Sequence, residues 1–193
     1  MRDPQTGNDA NTLLKFTNEG AADFAGYDVS VDWAGDVGRG SLNVNAIITI
    51  TDKVKTRVNP EAAWNDWKGT SGPADITGLD PYAFDYRTFV TTNYSFGRWG
   101  TTLRWRHLPS IDSVSSRAPG NTLQPTGSYN MFDFAGRFEI NDQLNLRFGV
   151  DNLLDREPER TFPEATNTAR GQTNPSFYDI LGRRYYVGLA MQF

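Results

Sequence analysis

The chain has 193 residues, a formal net charge of −4 and no cysteine, which excludes structural disulfides and cysteine-based zinc sites. No stretch approaches the roughly 20 apolar residues of a membrane helix, so a helical membrane protein is excluded as well. No basic stripe of the kind that binds nucleic acid is visible, and we expect no nucleic-acid partner.

Eight segments are predicted to be β-strands, because apolar residues alternate in them with small, polar or charged residues. In chain order they are residues 11–18, 24–34, 41–51, 84–96, 101–108, 129–140, 143–153 and 182–193. The second face carries charged residues in mid-strand, namely Asp28, Asp32, Arg87, Arg104, Arg106, Asp133, Arg137, Glu139, Arg147 and Asp151. Few aliphatic and many aromatic residues, at 13% of the chain, fit a barrel with a polar interior and aromatic rims.

The last predicted strand shows the alternation most clearly. One face, which we expect to meet lipid, carries Tyr185, Val187, Leu189, Met191 and Phe193. The other, which we expect to face the lumen, carries Arg184, Tyr186, Gly188, Ala190 and Gln192. The length of the segment 185–193 fits the roughly 9–11 residues with which a tilted strand crosses a membrane. The strand would end at the membrane interface, where an aromatic ring is favourable.

The connections alternate between short and long. Short turns lie near Gly38, Gly97 and Asn141, whereas residues 52–83, 109–128 and 154–181 form long connections. Segregation of loop lengths to two rims is typical of outer-membrane barrels and has no reason to occur in a sandwich. We therefore predict an all-β fold: an antiparallel, up-and-down membrane β-barrel segment of about eight strands, with short periplasmic turns and long extracellular loops.

The first long connection is predicted to contain a short helix, with Asn59 as N-cap and Pro60 in the first turn. We also expect the sheet to be open and curved rather than closed, because the bulky Arg, Tyr and Glu side chains of the inner face crowd an eight-strand lumen. Backbone pairing between residues 13–16 and 186–192 would indicate a closed barrel instead.

The last third of the sequence resembles the C-terminus of TonB-dependent outer-membrane receptors. A strand runs into Asn152, Leu153, Leu154 and Asp155, a long loop follows, and the chain ends with Tyr178, Asp179, Gly182, Arg183 and the terminal aromatic Phe193. Gly26 and Asp28 are similar to a strand entry of the same family. These positions are the family-motif residues that the resemblance implies.

The resemblance implies a role in the energy-coupled uptake of a scarce nutrient, of the siderophore, cobalamin or oligosaccharide class, across the outer membrane of a Gram-negative cell. It implies as partners the membrane lipid, the barrel-assembly machinery through the C-terminal strand, the small-molecule substrate, and TonB only through regions outside this chain. We expect residues 1–193 to form one barrel segment, about the last third of a receptor barrel, without the plug domain and without a signal peptide.

Each candidate site can be interpreted either as a functional site or as an ordinary structural feature. Trp64 and Trp67 are a possible ligand-binding loop, or they pack within that loop. Asp155, Glu157, Glu159 and Glu164 are either a cation site or a solvated acidic loop, and the single histidine, His107, is expected to serve the barrel rim. No nucleophile with a base is visible, so we expect neither an enzyme nor a cofactor or metal.

Two other readings remain open at this point. The chain could be an autonomous small eight-stranded outer-membrane barrel that serves as an anchor, adhesin or minor pore. A soluble barrel with one internal ligand is the third reading, although charges on one face of most strands disfavour an apolar cup.

Overall fold

The computed structural model describes residues 20–71, 83–113, 124–160 and 173–192. These residues form one antiparallel sheet of eight strands: β1 (Ala21–Val37), β2 (Gly40–Arg57), β3 (Asn65–Asp66), β4 (Tyr86–Phe96), β5 (Trp99–Leu108), β6 (Tyr129–Asn141), β7 (Leu144–Asp151) and β8 (Arg184–Met191). The predicted all-β, antiparallel fold is confirmed.

The strands follow one another across the sheet in the order β1-β2-β4-β5-β6-β7-β8, with the short β3 attached to β2. This is an up-and-down order, since each long strand pairs with its neighbour in the chain. Across the described residues β1 and β8 are the two edges and do not pair with each other, so the sheet is open there, as expected. Residues 13–16, which would pair with β8 in a closed barrel, lie outside the described residues, as does the whole predicted strand 11–18.

Three two-residue turns join β1 to β2, β4 to β5, and β6 to β7, and they lie on one rim. The first two use glycines with positive φ, Gly38 at 64° and Gly97 at 55°, as tight hairpins require. Neighbouring turns contact each other, since Tyr94 donates from its hydroxyl to Val37 O at 3.1 Å. The predicted rim of short turns is confirmed. Trp64 lies at the opposite end of β2, whereas Asn121 and Ala165 lie outside the described residues.

The outer face of the sheet is apolar and exposed. On β8, Tyr185 is 72% exposed, Val187 76% and Leu189 67%, so the residues predicted to face lipid have no protein packed over them. The corresponding residues of β1 are also exposed, and they are Tyr27, Val29, Val31 and Trp33. Contiguous exposed apolar surface of this kind is typical of a surface that meets a membrane or a partner. Phe193 lies outside the described residues.

On β1 and β2 the apolar face changes sides at a β-bulge between Ala25 and Gly26. On the loop side of this bulge the outward face carries an ion pair between Lys53 and Asp23, whose charged atoms are 3.1 Å apart. The inward side there holds the buried Trp67. The bulge thus marks the level at which these strands leave the outer apolar band, because a β-bulge re-aims the residues that follow it.

Two expectations about the first long connection are wrong. It does not begin at residue 52, because β2 continues to Arg57 and its last residues pair with β3. The helix predicted at Asn59 is a turn: Asn59 Oδ1 accepts from the backbone N–H groups of Glu61 and Ala62, as an N-cap does, but the chain then pairs with β2 instead of coiling on. Across the described residues, no helix has the length and apolar character needed to cross a membrane.

Among the described residues, a buried apolar cluster lies at the end of the sheet where the long connections meet it, rather than in the middle of the sheet. It consists of Phe84, Ile111, Tyr129, Met131 and Tyr178. The rings of Tyr129 and Tyr178 meet edge to face at 5.2 Å. This cluster fixes the described parts of the three long connections against the inner end of β6.

Candidate functional site

The inner face of the sheet is lined by polar side chains that bond to one another across neighbouring strands. Three cross-strand pairs have a donor and an acceptor 2.7 Å apart, and they are Thr49 with Asp28, Asn45 with Asp32, and Thr102 with Asn93. Side chains directly opposite each other on paired strands are placed for such bonds. The inner face is therefore suited to water rather than to lipid.

An apolar patch interrupts this polar face near the long loops. Ile47 of β2 lies opposite Phe89 of β4, and Leu108 of β5 lies opposite Tyr129 of β6, all on the inner side. These residues were not predicted as site residues from the sequence, although Ile47 and Phe89 fall on the same alternating face as Thr49 and Arg87. Apolar residues at positions reserved for polar ones are the signal that could have found them.

The patch forms the floor of a cavity of about 330 Å³ on the inner face. Phe177, from the segment before β8, lines it together with Ser176. The ring of Phe177 meets that of Phe84 edge to face at 5.3 Å, which anchors this side of the cavity to the buried cluster. Cavities of about 300 Å³ and more, mostly apolar with a few polar groups, are typical of small-molecule sites.

Two guanidinium groups give the cavity a positive charge. Arg87 of β4 and Arg106 of β5 both line it. Arg106 lies 3.8 Å from Asp133 Oδ2, which is long for a charge-assisted hydrogen bond, and its Nη2 also donates to the sulfur of Met131. Asp133 Oδ1 accepts from the backbone N–H of Asn152 instead. Arg87 takes part in none of the ion pairs among the described residues.

The family-motif residues of the C-terminal region lie together beside β6 and join the end of β7 to the start of β8. Asn152 is fully buried and has a positive φ of 53°. Its Oδ1 accepts from the N–H of Arg156 at 2.7 Å, and its Nδ2 donates to Arg156 O and to Asp179 Oδ2 at 3.0 and 3.3 Å. Leu153 donates from its backbone N–H to Phe132 O of β6.

The second half of the motif adds two salt bridges next to Gly182, through the two arginines that follow it. Asp155 Oδ1 accepts from the N–H of Arg183, whose guanidinium lies 3.7 Å from Asp155 Oδ2. Asp179 accepts from Arg184 Nη1 at 3.1 Å, and Gly182 has a φ of 71° between them. The pKa of Arg183 is raised above its ordinary value, chiefly by the hydrogen bond to the Tyr185 hydroxyl. Tyr178 is buried beside this motif, and Phe193 lies outside the described residues.

The two tryptophans of the first loop differ in exposure. Trp67 is buried and its Nε1 donates to Thr56 Oγ1 at 2.6 Å, so it packs against the last residues of β2 rather than inside a helix. Trp64 is 43% exposed and carries the guanidinium of Arg57 over its ring, 4.8 Å from the centroid. Ligand stacking on Trp64 stays a prediction.

His107 and two acidic residues of the last loop, Asp155 and Glu159, have protein partners. His107 lies at the loop end of β5, where its ring bonds to the hydroxyl of Tyr86 at 3.1 Å and to Asn130 Oδ1 at 2.9 Å. Glu159 pairs with Arg156. Glu164 lies outside the described residues. In the part of the chain that the structure describes, no three His, Asp or Glu side chains group to hold a metal ion.

Comparison with protein families gives a match over most of the chain. A family model described as TonB dependent receptor-like, beta-barrel matches residues 1–153. The match includes Asn152 and Leu153 and ends before Asp155, so the remaining motif positions stay a prediction. No curated protein matches the chain.

Proposed function

For a chain that belongs to the TonB-dependent receptor-like β-barrel family, we propose a role as part of the wall of an outer-membrane receptor. The family is one of the outer membrane and works with a TonB-type partner. The proposed activity is the uptake of a scarce nutrient, a siderophore, cobalamin or oligosaccharide, with energy supplied through TonB. The role is that of a transport component rather than an enzyme.

The contrast between the two faces of the sheet carries this proposal. Outward residues such as Val187 and Leu189 are apolar and exposed, whereas the inward pairs such as Thr49 with Asp28 are polar and bonded to each other. A membrane barrel has an apolar band on its outside and a polar interior. A soluble sandwich, by contrast, buries its apolar face and exposes its polar one. Short turns on one rim and long connections on the other support the same orientation.

The proposed partners follow from this role. Lipid covers the outer face, the open edges at β1 and β8 pair with further barrel strands, and the C-terminal strand is read by the barrel-assembly machinery. Among the described strands, β1 and β8 each have one edge without a partner strand, and such an edge is a template for another strand, so both favour completion by additional wall. TonB acts through regions other than this wall segment.

Uptake in the native host tests the proposal. The gene that encodes the chain is deleted and then restored, and the accumulation of labelled ferric siderophores, cobalamin and oligosaccharides is measured with and without a protonophore. We expect one substrate class to lose uptake on deletion, to regain it on restoration, and to lose it again when the protonophore removes the energy source. Fractionation should place the chain in the outer membrane.

Uptake that is unchanged by the deletion, from a chain found in the outer membrane, would contradict the transport role and support the autonomous small barrel. A chain found in the soluble fraction would contradict both.

A further inference from the structure

We propose that the inner-face cavity binds a small molecule that carries a carboxylate on an aromatic or otherwise apolar body. This inference deepens the proposed function by naming a substrate class, and it rests on that function only for the orientation of the cavity toward the lumen. The cavity lies between the wall strands β2, β4, β5 and β6 and the segment before β8.

The apolar part of the ligand would lie on the floor of the cavity. Ile47 is 38% exposed on a face that is polar outside this patch, and Phe89 lies opposite it on β4. Phe177 closes the cavity from the loop side and is held by its ring contact with Phe84. Covering this patch with an apolar ligand removes it from water, which favours binding in proportion to the apolar area buried.

The carboxylate would be bound by the two arginines. Arg106 lies opposite Phe89, which is two residues along β4 from Arg87, so the two guanidinium groups are diagonal neighbours on one face. In the ion pairs of the described residues, Arg87 has no carboxylate partner and Arg106 has one, Asp133. The carboxylate of Asp133 also accepts from the backbone N–H of Asn152. Two like charges beside an apolar floor therefore favour an anion, which arginine binds through paired N–H donors.

Other ligand classes fit this arrangement less well. A cationic group in the cavity would lie beside two guanidinium groups of the same charge and would be repelled by them. A neutral sugar needs many hydrogen-bonding partners, whereas the floor of the cavity is apolar. The further polar side chains that line the cavity are Thr49, Thr88, His107, Tyr129 and Ser176. Of these, Thr49 already donates to Asp28, and His107 already bonds to Tyr86 and Asn130. The combination of paired cations and aromatic rings selects the anionic, apolar class.

Calorimetric titration of the full chain in lipid nanodiscs tests the proposal, with empty nanodiscs as the reference and circular dichroism as the check of β-structure. The probes are 2-naphthoate and its neutral counterpart 2-naphthamide, which has the same shape without the charge. We expect naphthoate to bind at least tenfold more tightly than naphthamide. Arg87→Gln and Arg106→Gln should each weaken naphthoate binding about tenfold and leave naphthamide binding unchanged, whereas Phe89→Ala should weaken both.

Arg147→Gln is the matched control, because Arg147 lies on the same inner face but lines a different part of it. Its binding of naphthoate should equal that of the unmodified chain. Equal affinity for the two probes, no naphthoate binding, or an equal loss in Arg147→Gln and Arg87→Gln would each overturn the proposal. Naphthoate binding as expected, from a chain whose deletion leaves uptake unchanged, would refute transport and leave the cavity inference standing. The converse result would refute the cavity inference alone.

Discussion

The side-chain amide of Asn152 donates to the carboxylate of Asp179 across 27 positions of the chain, and this bond joins the end of β7 to the entry of β8. The carboxylate of Asp179 in turn accepts from Arg184 at the first position of β8. The resemblance singled out Asn152 and Asp179 as motif residues, and the structure gives both a place in one hydrogen-bonded connection. We infer that this motif sets the geometry with which the last strand leaves its long loop.

Replacement of Asn152 by alanine should destabilise the folded chain by about 2–4 kcal/mol. The change leaves the N–H of Arg156 without its acceptor. It also places alanine at a φ of 53°, a conformation that alanine adopts less readily than asparagine because it has no polar side chain to bond to the nearby backbone. Urea unfolding in lipid vesicles measures the loss. Asn152→Gly, which relieves the backbone but not the hydrogen bonds, should lose about 1 kcal/mol less. Asn145→Ala on the inner face is the control, and equal stability of Asn152→Ala and Asn145→Ala would contradict the role of the motif.

Gly136→Ala should destabilise the sheet by about 1–3 kcal/mol, since a Cβ at this position would collide with the ring of Phe148 on the opposite strand. The same change at Gly188 meets nothing within 4 Å and should be close to neutral. Phe148→Ala in the Gly136→Ala background should restore most of the loss. A double-mutant cycle measured by urea unfolding gives this coupling, and strictly additive effects would refute the contact.

Leu189→Arg should cost about 2–4 kcal/mol of stability in lipid, because it places a charge on the outward face of β8. Ala190→Arg should be much milder, since that residue lies on the inward face opposite Asn145. Unfolding in vesicles measures both variants, and the difference should shrink when the bilayer is made thinner. A larger loss for Ala190→Arg than for Leu189→Arg would reverse the assignment of the faces.

The alternation of side chains was enough to predict the seven long strands of the described residues, their order and their two faces, whereas the short β3 was not predicted. It worked because a slip of one residue in the pairing of β5 would turn its charged side chains, such as Arg104 and Arg106, to the apolar outer face. The register of the strands is therefore strongly specified. The resemblance to TonB-dependent receptors, drawn from the last third of the chain, is confirmed by a family match that rests on the first 153 residues.

The sequence was less informative where tertiary pairing overrides a local signal. Asn59 has the chemistry of an N-cap and does accept two backbone N–H groups, yet the helix is absent because Asn65 and Asp66 pair with β2. The inward cavity was missed for a related reason. Ile47 lies within the apolar run of residues 46–48, so its place among the polar positions of the inner face is easily overlooked, and its pairing with Phe89 makes that place plain.

Cysteine accessibility in the central strands tests the two-faced wall most directly, and the chain has no natural cysteine to interfere. Single cysteines are placed at the outward Val90 and Leu103 and at the inward Thr91 and Thr102, and the outer membranes are treated with a water-soluble maleimide. Cysteine at positions 91 and 102 should react, and cysteine at positions 90 and 103 should stay unlabelled until detergent removes the lipid. Equal labelling of all four positions in intact membranes would contradict a wall with lipid on one side and water on the other.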